Sequence, residues 1–196
     1  MTLIVSSGQR VTEDELIQSK LSCPSCKGVL RPWGYGRRRT VRLKVGVTEV
    51  TPRRTRCTNC SKTHILLPDK LLLRRVDEVE VVGSALLRSS LGDGYNKIAT
   101  AISRPLSTVR SWIRRFRDKS EIIRQHFTIW ALAADPSLSE IKESGSLLKD
   151  ALDALGVATR CVALRFGSKP PWALASHMTG GRLLYNTNSP FPTPNE

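Results

Sequence analysis

Five cysteines stand in the 196-residue chain, and four of them form two Cys-x-x-Cys pairs, Cys23 with Cys26 and Cys57 with Cys60. A Cys-x-x-Cys turn aims two sulfurs at one point. Two such turns supply four soft ligands for a closed tetrahedral metal site, the arrangement that Zn2+ favours. Pro24 pre-sets the backbone of the first turn, and Gly28 is expected to take the positive φ by which the chain leaves it. Asn59 is a comparable turn residue in the second. Paired structural disulfides are the competing use of these thiols. Residues 1–20 hold Glu13, Asp14 and Glu15 and lack the apolar run of a signal peptide, so neither export nor disulfides are expected. His64, four residues beyond Cys60, is an alternative ligand in place of one thiolate. Cys161, beside Val162, Ala163 and Leu164, reads as a small buried hydrophobe.

Charge is the second chemical signal. Of the net +14, residues 1–75 carry 16 Lys/Arg against 5 Asp/Glu, residues 76–119 carry 8 against 5, and residues 120–196 carry 7 against 7. The whole excess therefore lies in the first 119 residues, as a polyanion-binding surface requires and solubility alone does not. Arg37, Arg38 and Arg39 follow Trp33 and Tyr35, and aromatics beside a basic run suit phosphate and base contacts. Arg37–Arg39 are expected to make contact, and Trp33 to pack on the metal module. No apolar run approaches the roughly 20 residues needed to span a bilayer, so a cytoplasmic, nucleoid-associated protein is expected.

The elements that would position these groups come from periodicity. Val41, Leu43, Val45 and Val47 alternate with polar residues, which predicts one strand with an apolar face. Pro52 ends it, Arg53 to Arg56 read as the returning strand, and Thr63 to Leu67 as a third. A small antiparallel sheet clamped by four thiolates over residues 21–68 is the pattern of a zinc ribbon. Residues 1–20 read as a flexible lead-in with one helical turn, Thr12 and Glu15 having capping-box spacing. Residues 69–90 read as a helix through Leu72, Val76, Val79, Val82, Leu86 and Leu87, broken by Gly92-Asp93-Gly94. A short helix over Tyr95–Ile102, a tight Ser103-Arg104-Pro105 turn and a second helix over Leu106–Phe116 follow. The second helix has Val109, Trp112, Ile113 and Phe116 on one face, with Ser107, Thr108, Arg110, Ser111, Arg114, Arg115 and Arg117 on the other. That layout is a helix-turn-helix offering polar and basic groups to a major groove.

The segment Ile98-Ala99-x-x-Ile102 followed by Ser107-Thr108-Val109-Arg110-x-Trp112-x-Arg114-Arg115 resembles the helix-turn-helix of transposases and site-specific recombinases. Residues 23–117 as a whole resemble bacterial zinc-ribbon/helix-turn-helix proteins related to transposon N-terminal domains. The resemblance implies base contacts from Leu106, Ser107, Thr108, Arg110 and Ser111, and phosphate contacts from Arg114, Arg115 and Arg117. Arg104 is counted with the DNA-facing set, although Arg104-Pro105 replaces the more usual small polar pair of the turn.

The expected fold is thus α+β: a zinc ribbon over 21–68, a mainly helical helix-turn-helix domain over 69–119, a neutral helical region over 120–185 and a disordered tail over 186–196. Within the third part, helices break at Asp135-Pro136 and Gly145, and an amphipathic face of Leu147, Leu148, Ala151, Leu152 and Leu155 ends at Gly156. Its neutrality suits a homodimer contact or packing on the helix-turn-helix. The function this implies is zinc-stabilised binding of double-stranded DNA, as a transcriptional regulator or a transposon-associated accessory factor. The alternatives are a transposase-like enzyme and a protein-binding adaptor of the transcription machinery. No Gly-rich phosphate loop or Ser/His/Asp grouping is present, and the acids after residue 119 lie in helical or loop patterns, so neither catalysis nor a small-molecule substrate is expected.

Overall fold

Branched and aromatic residues around the two cysteine pairs build strands, and the stretches periodic in 3.6 build helices. The computed structural model describes residues 2–6, 9–185 and 191–194, without the side chains of 9–11. Its strands are β1 (Thr2–Val5), β2 (Leu30–Tyr35), β3 (Arg39–Arg42), β4 (Val47–Val50), β5 (Arg53–Cys57) and β6 (Thr63–Pro68). Its helices are α1 (Gln9–Ile17), α2 (Val79–Ser90), α3 (Tyr95–Ile102), α4 (Leu106–Arg117), α5 (Ser120–Ala134), α6 (Leu147–Phe166) and α7 (Pro171–Met178). The chain is α+β.

One sheet has the order β1-β6-β5-β2, and β3 pairs with β4 in a separate hairpin. The expected antiparallel sheet is in fact mixed, because β1 runs parallel to β6 with Leu3 beside Leu66. The lead-in is therefore structured: β1 supplies an edge strand, and Leu16 of α1 is fully buried against Val5, Leu30 and Leu66. The helix also begins before Thr12, whose hydroxyl donates to the Ser6 carbonyl at 3.4 Å. The predicted single strand through residues 41–47 is a hairpin. The chain reverses at 43–46, so Val41 is buried while Val45 is 86% exposed.

Only the second half of the predicted 69–90 helix is helical. Residues 69–78 are instead drawn into extended bridges, with the Arg42 N–H donating to the Val76 carbonyl and the Glu78 N–H to that of Arg42. Leu71 and Leu72 are buried there without helical periodicity. Gly156 does not end a helix, because α6 passes through it to Phe166. Of the stretch 186–196, residues 186–190 and 195–196 lie outside the described residues. Phe191 packs against the His126 ring, with centroids 4.8 Å apart.

The main core is shared by α2 to α7, with Val82, Leu86, Ile98, Trp112, Phe116, Phe127 and Leu155 among its members. A smaller core lies between the sheet and α1, and a third, Val41 with Leu67 and Leu71, lies under the hairpin. One buried carboxylate joins the hairpin to the helices. Asp77 accepts from Arg42 Nη2 at 2.6 Å and from Arg104 Nε at 2.5 Å, while Arg104 Nη2 donates to the Leu43 carbonyl at 2.6 Å.

Candidate metal centre and basic faces

The two Cys-x-x-Cys turns are built alike. After each second cysteine one residue adopts a left-handed conformation, Lys27 at φ 58° and Ser61 at φ 57°. Each turn is closed by a hydrogen bond from its first cysteine, Cys23 N–H to the Gly28 carbonyl at 2.7 Å and Cys57 N–H to that of Lys62 at 2.9 Å. The positive φ expected at Gly28 therefore falls on Lys27. Gly28 is required for another reason: a Cβ there would come within 2.7 Å of the Asn59 Cβ and 3.0 Å of the Cys57 sulfur.

The four sulfurs lie within 4.8 Å of one another, with Cys23 to Cys60 at 3.7 Å and Cys26 to Cys57 at 3.4 Å. Disulfide sulfurs stand about 2 Å apart, and all four cysteines are free thiols. A tetrahedron of sulfurs with metal–sulfur bonds of about 2.3 Å has edges of roughly 3.8 Å, so the cluster has the size of such a site. Its electrostatics agree. Burial raises the Cys23 thiol, yet the N–H groups of Ser25 and Cys26 and the thiols of Cys60 and Cys26 outweigh it and bring it down to about 6. The Cys60 N–H lowers Cys57 against its burial. Cys60 is pushed up to about 11: the Lys62 N–H lowers it, but burial and the other three thiols prevail. Sulfurs brought this close and shifted against one another, as Cys23 and Cys60 are, make a donor set that a dication would complete. His64 is buried with Nε2 3.5 Å from the Cys23 sulfur and lies outside the mutually close set of four. It is a hydrogen-bonding neighbour of one candidate ligand.

The second region is α4. Left-handed Ser103 ends α3, and Pro105 occupies the position just before the first turn of α4. Val109, Trp112, Ile113 and Phe116 are buried as the spacing predicts. Ser107, Arg110, Arg114 and Arg117 are exposed and line one shallow concavity with Ser111 and Tyr95. Tyr95, which the sequence reading leaves out of the site, opens α3 and places its ring 5.8 Å from the Arg110 guanidinium carbon. The spacing between an aromatic on one helix and an arginine on the next carries no periodic signal. Thr108 and Arg115 are half-buried, and Arg115 Nε donates to the Ser111 hydroxyl at 3.0 Å.

Arg104 is a correction. Its side chain is only 8% exposed, and each of its three nitrogens is bonded inside the protein, Nε to Asp77, Nη1 to the Ser103 carbonyl and Nη2 to that of Leu43, so it is turned away from any ligand. Of the basic segment, Arg37 is exposed, Arg38 pairs with Glu49, and Arg39 lines a separate groove with Lys27, Arg74 and Arg182. These three do not share the α4 concavity. Trp33 is not packed as expected: it is 51% exposed, with the Arg56 guanidinium carbon 4.8 Å from its ring centroid.

The fold and site thus define an α+β chain with a four-thiol centre capable of holding a metal ion. Residues 23–119 match the family model of a domain of unknown function, DUF6431. That span takes in all four thiols and α2 to α4, and stops before α5. No curated protein and no solved structure matches the chain. Among the described residues, no helix is long and apolar enough to cross a membrane.

Proposed function

We propose that the chain binds double-stranded DNA as a transcriptional regulator or transposon-associated accessory factor, with α3 and α4 as a helix-turn-helix and residues 21–68 as a zinc ribbon. The carrying observation is the division of α4: one face is wholly buried, and the other presents Ser107, Arg110, Arg114 and Arg117 to solvent. A helix so divided fits a major groove, with residues near its start reading bases and those further along meeting phosphates. Zn2+ on Cys23, Cys26, Cys57 and Cys60 holds the ribbon's turns, and Arg37 grips adjoining backbone. Purified protein is expected to select duplexes from a random pool, and a chelator to abolish the selection. Arg110→Ala changes sequence preference at one base pair by about 1–3 kcal/mol. Arg37→Ala weakens all sequences alike and lowers the salt slope by about 1. Absence of duplex binding at low ionic strength would overturn the reading in favour of an adaptor.

A second copy of the chain is part of the same proposal. Ile122, Gln125, Ile129 and Leu132 recur at intervals of three, four and three along α5, and the three apolar ones are about half exposed. This is the spacing of a self-pairing helical seam, and it lies in the neutral part of the chain, where two copies repel least. Ile129→Glu is expected to convert a dimer to a monomer in sedimentation equilibrium; a wild type that stays monomeric at high concentration rejects the seam.

A further inference from the structure

A second face of the sheet has the composition of a ligand site, and its chemistry differs from that of α4. The register places Leu30 beside Cys57 and Pro32 beside Thr55, with Leu30, Thr55 and Cys57 on the buried side facing α1. The alternate residues point the other way. Arg31 stands directly opposite Arg56 on that outer side, Trp33 follows on β2, and Arg54 follows on β5. Beyond Pro32 a bulge turns Tyr35 to the inner side, where it meets Arg53.

Three properties of this patch work against folding alone. Trp33 is half exposed, whereas Trp112 and Trp172 are 2% and 6% exposed. Arg31 and Arg56 are like charges directly across a strand pair, an arrangement that destabilises a sheet. Arg31 and Arg54 make no side-chain hydrogen bond or ion pair among the described residues, so no carboxylate relieves the charge. Arg56 is held in place, its Nε donating to the Ser61 carbonyl at 3.3 Å while its guanidinium lies over the indole. A patch that keeps an indole in water beneath one guanidinium, with two more arginines on the same side of the strand pair, is complementary to an aromatic ring carrying phosphates.

We propose that Trp33, Arg31, Arg54 and Arg56 form a stacking site for unpaired nucleotides, separate from the duplex-binding face of α4. A base stacks on the Trp33 indole and the arginines take the flanking phosphates. Bases in a duplex are stacked on one another and cannot offer a free face to the indole, so the ligand is a single strand or a frayed or looped segment. The occupied site removes the repulsion that the empty sheet carries.

The test is titration of the zinc-loaded full chain into a labelled oligothymidylate, read by fluorescence anisotropy across a salt series. Trp33→Ala weakens binding roughly 5- to 150-fold, the equivalent of about 1–3 kcal/mol per stacked base, and Trp33→Phe restores most of it. Arg31→Gln lowers the salt slope by about 0.7, the single-strand value for one phosphate contact. Arg110→Ala leaves single-strand affinity unchanged while altering duplex preference, so the two sites fail independently. Bound zinc and melting temperature of each variant are checked, and Trp33 is exposed enough for its replacement to fold. The proposal is overturned if wild type ignores the strand at low salt, or if Trp33→Ala binds as wild type. It also falls if a duplex of equal charge displaces the strand as well as a single strand does, which would mark a general polyanion patch.

Discussion

Replacing Asp77 by alanine tests how the hairpin is joined to the helices. The Asp77 side chain is 3% exposed, that of Arg104 8% and that of Arg42 36%. Removing the carboxylate leaves Arg104 charged in a place that excludes water, with only carbonyl oxygens for company. Loss of one partner from such a pair costs about 3–5 kcal/mol, and the Arg42 contact, open to solvent, adds at most about 1 kcal/mol. For a chain of this length that is a drop in melting temperature of roughly 6–24 °C, a large share of a total stability of about 5–15 kcal/mol. Urea and thermal unfolding of the metal-loaded protein measure it. Arg104→Met alone strands Asp77 with the weaker partner and is also destabilising. The double variant removes both buried charges and recovers most of the loss, giving a coupling energy on the order of 2–3 kcal/mol. If Asp77→Ala costs less than about 1 kcal/mol, or if the two changes simply add, the pair does not join the hairpin to the helices.

Cys57→Ser is expected to bring bound zinc well below one ion per chain and to unfold the sheet module, since structural zinc contributes on the order of 10 kcal/mol to such modules; metal analysis with circular dichroism reads both, and an ordered, metal-free protein would reject the site. Gly83→Ala places a methyl carbon about 2.0 Å from the Trp172 ring, so despite alanine's better helix propensity the variant loses roughly 1–3 kcal/mol in chemical denaturation. His126 is buried, and burial chiefly holds its pKa down to about 4, against its hydrogen bond to the Met178 carbonyl and with help from the Arg182 charge. The folded state keeps it neutral while the unfolded chain binds a proton below about 6.5, so its neutral burial costs nothing above that pH and destabilises progressively as pH falls from 6.5 toward 4. His126→Gln therefore flattens the stability profile across that window relative to wild type, and equal slopes would show that the ring is not kept neutral.

The helices around α4 were legible because local rules and tertiary packing agree there. Ile98, Val109, Trp112, Ile113 and Phe116 fall on the faces that a 3.6-residue period assigns, and all five are buried. The four thiols were legible from spacing alone. The sheet region misled where period two was read as a single strand, because a turn inside residues 41–47 leaves the alternation intact and only removes its meaning. Residues 69–78 misled for the opposite reason. Leucines at every position from 71 to 73 satisfy a helical template, but the Leu73 N–H donates to the Gly181 carbonyl, the Leu71 carbonyl accepts from the Ser176 hydroxyl, and Val76 and Glu78 are bonded to Arg42 of the hairpin. The strand β1 has too few residues to announce itself, and its pairing partners lie 63 positions later, Thr2 beside Ile65.

Arg104 shows why the candidate DNA surface could not be completed from composition. In a stretch rich in arginine every guanidinium looks available, and nothing local separates Arg104 from Arg110 or Arg114. What separates them is Asp77, a carboxylate with two cationic partners, placed 27 residues earlier. Its effect is to subtract one contact and fix the rest: with Arg42 and Arg104 sharing one acid, the hairpin that follows Arg37 cannot swing freely against the turn that opens α4. If both elements meet one duplex, that rigidity lowers the ordering cost of binding. Asp77→Ala, assayed at a temperature where it remains folded, should then lose affinity for duplex DNA without any loss of sequence preference. Because Asp77 is buried and touches no ligand, a change in preference instead would mean that α4 itself had moved.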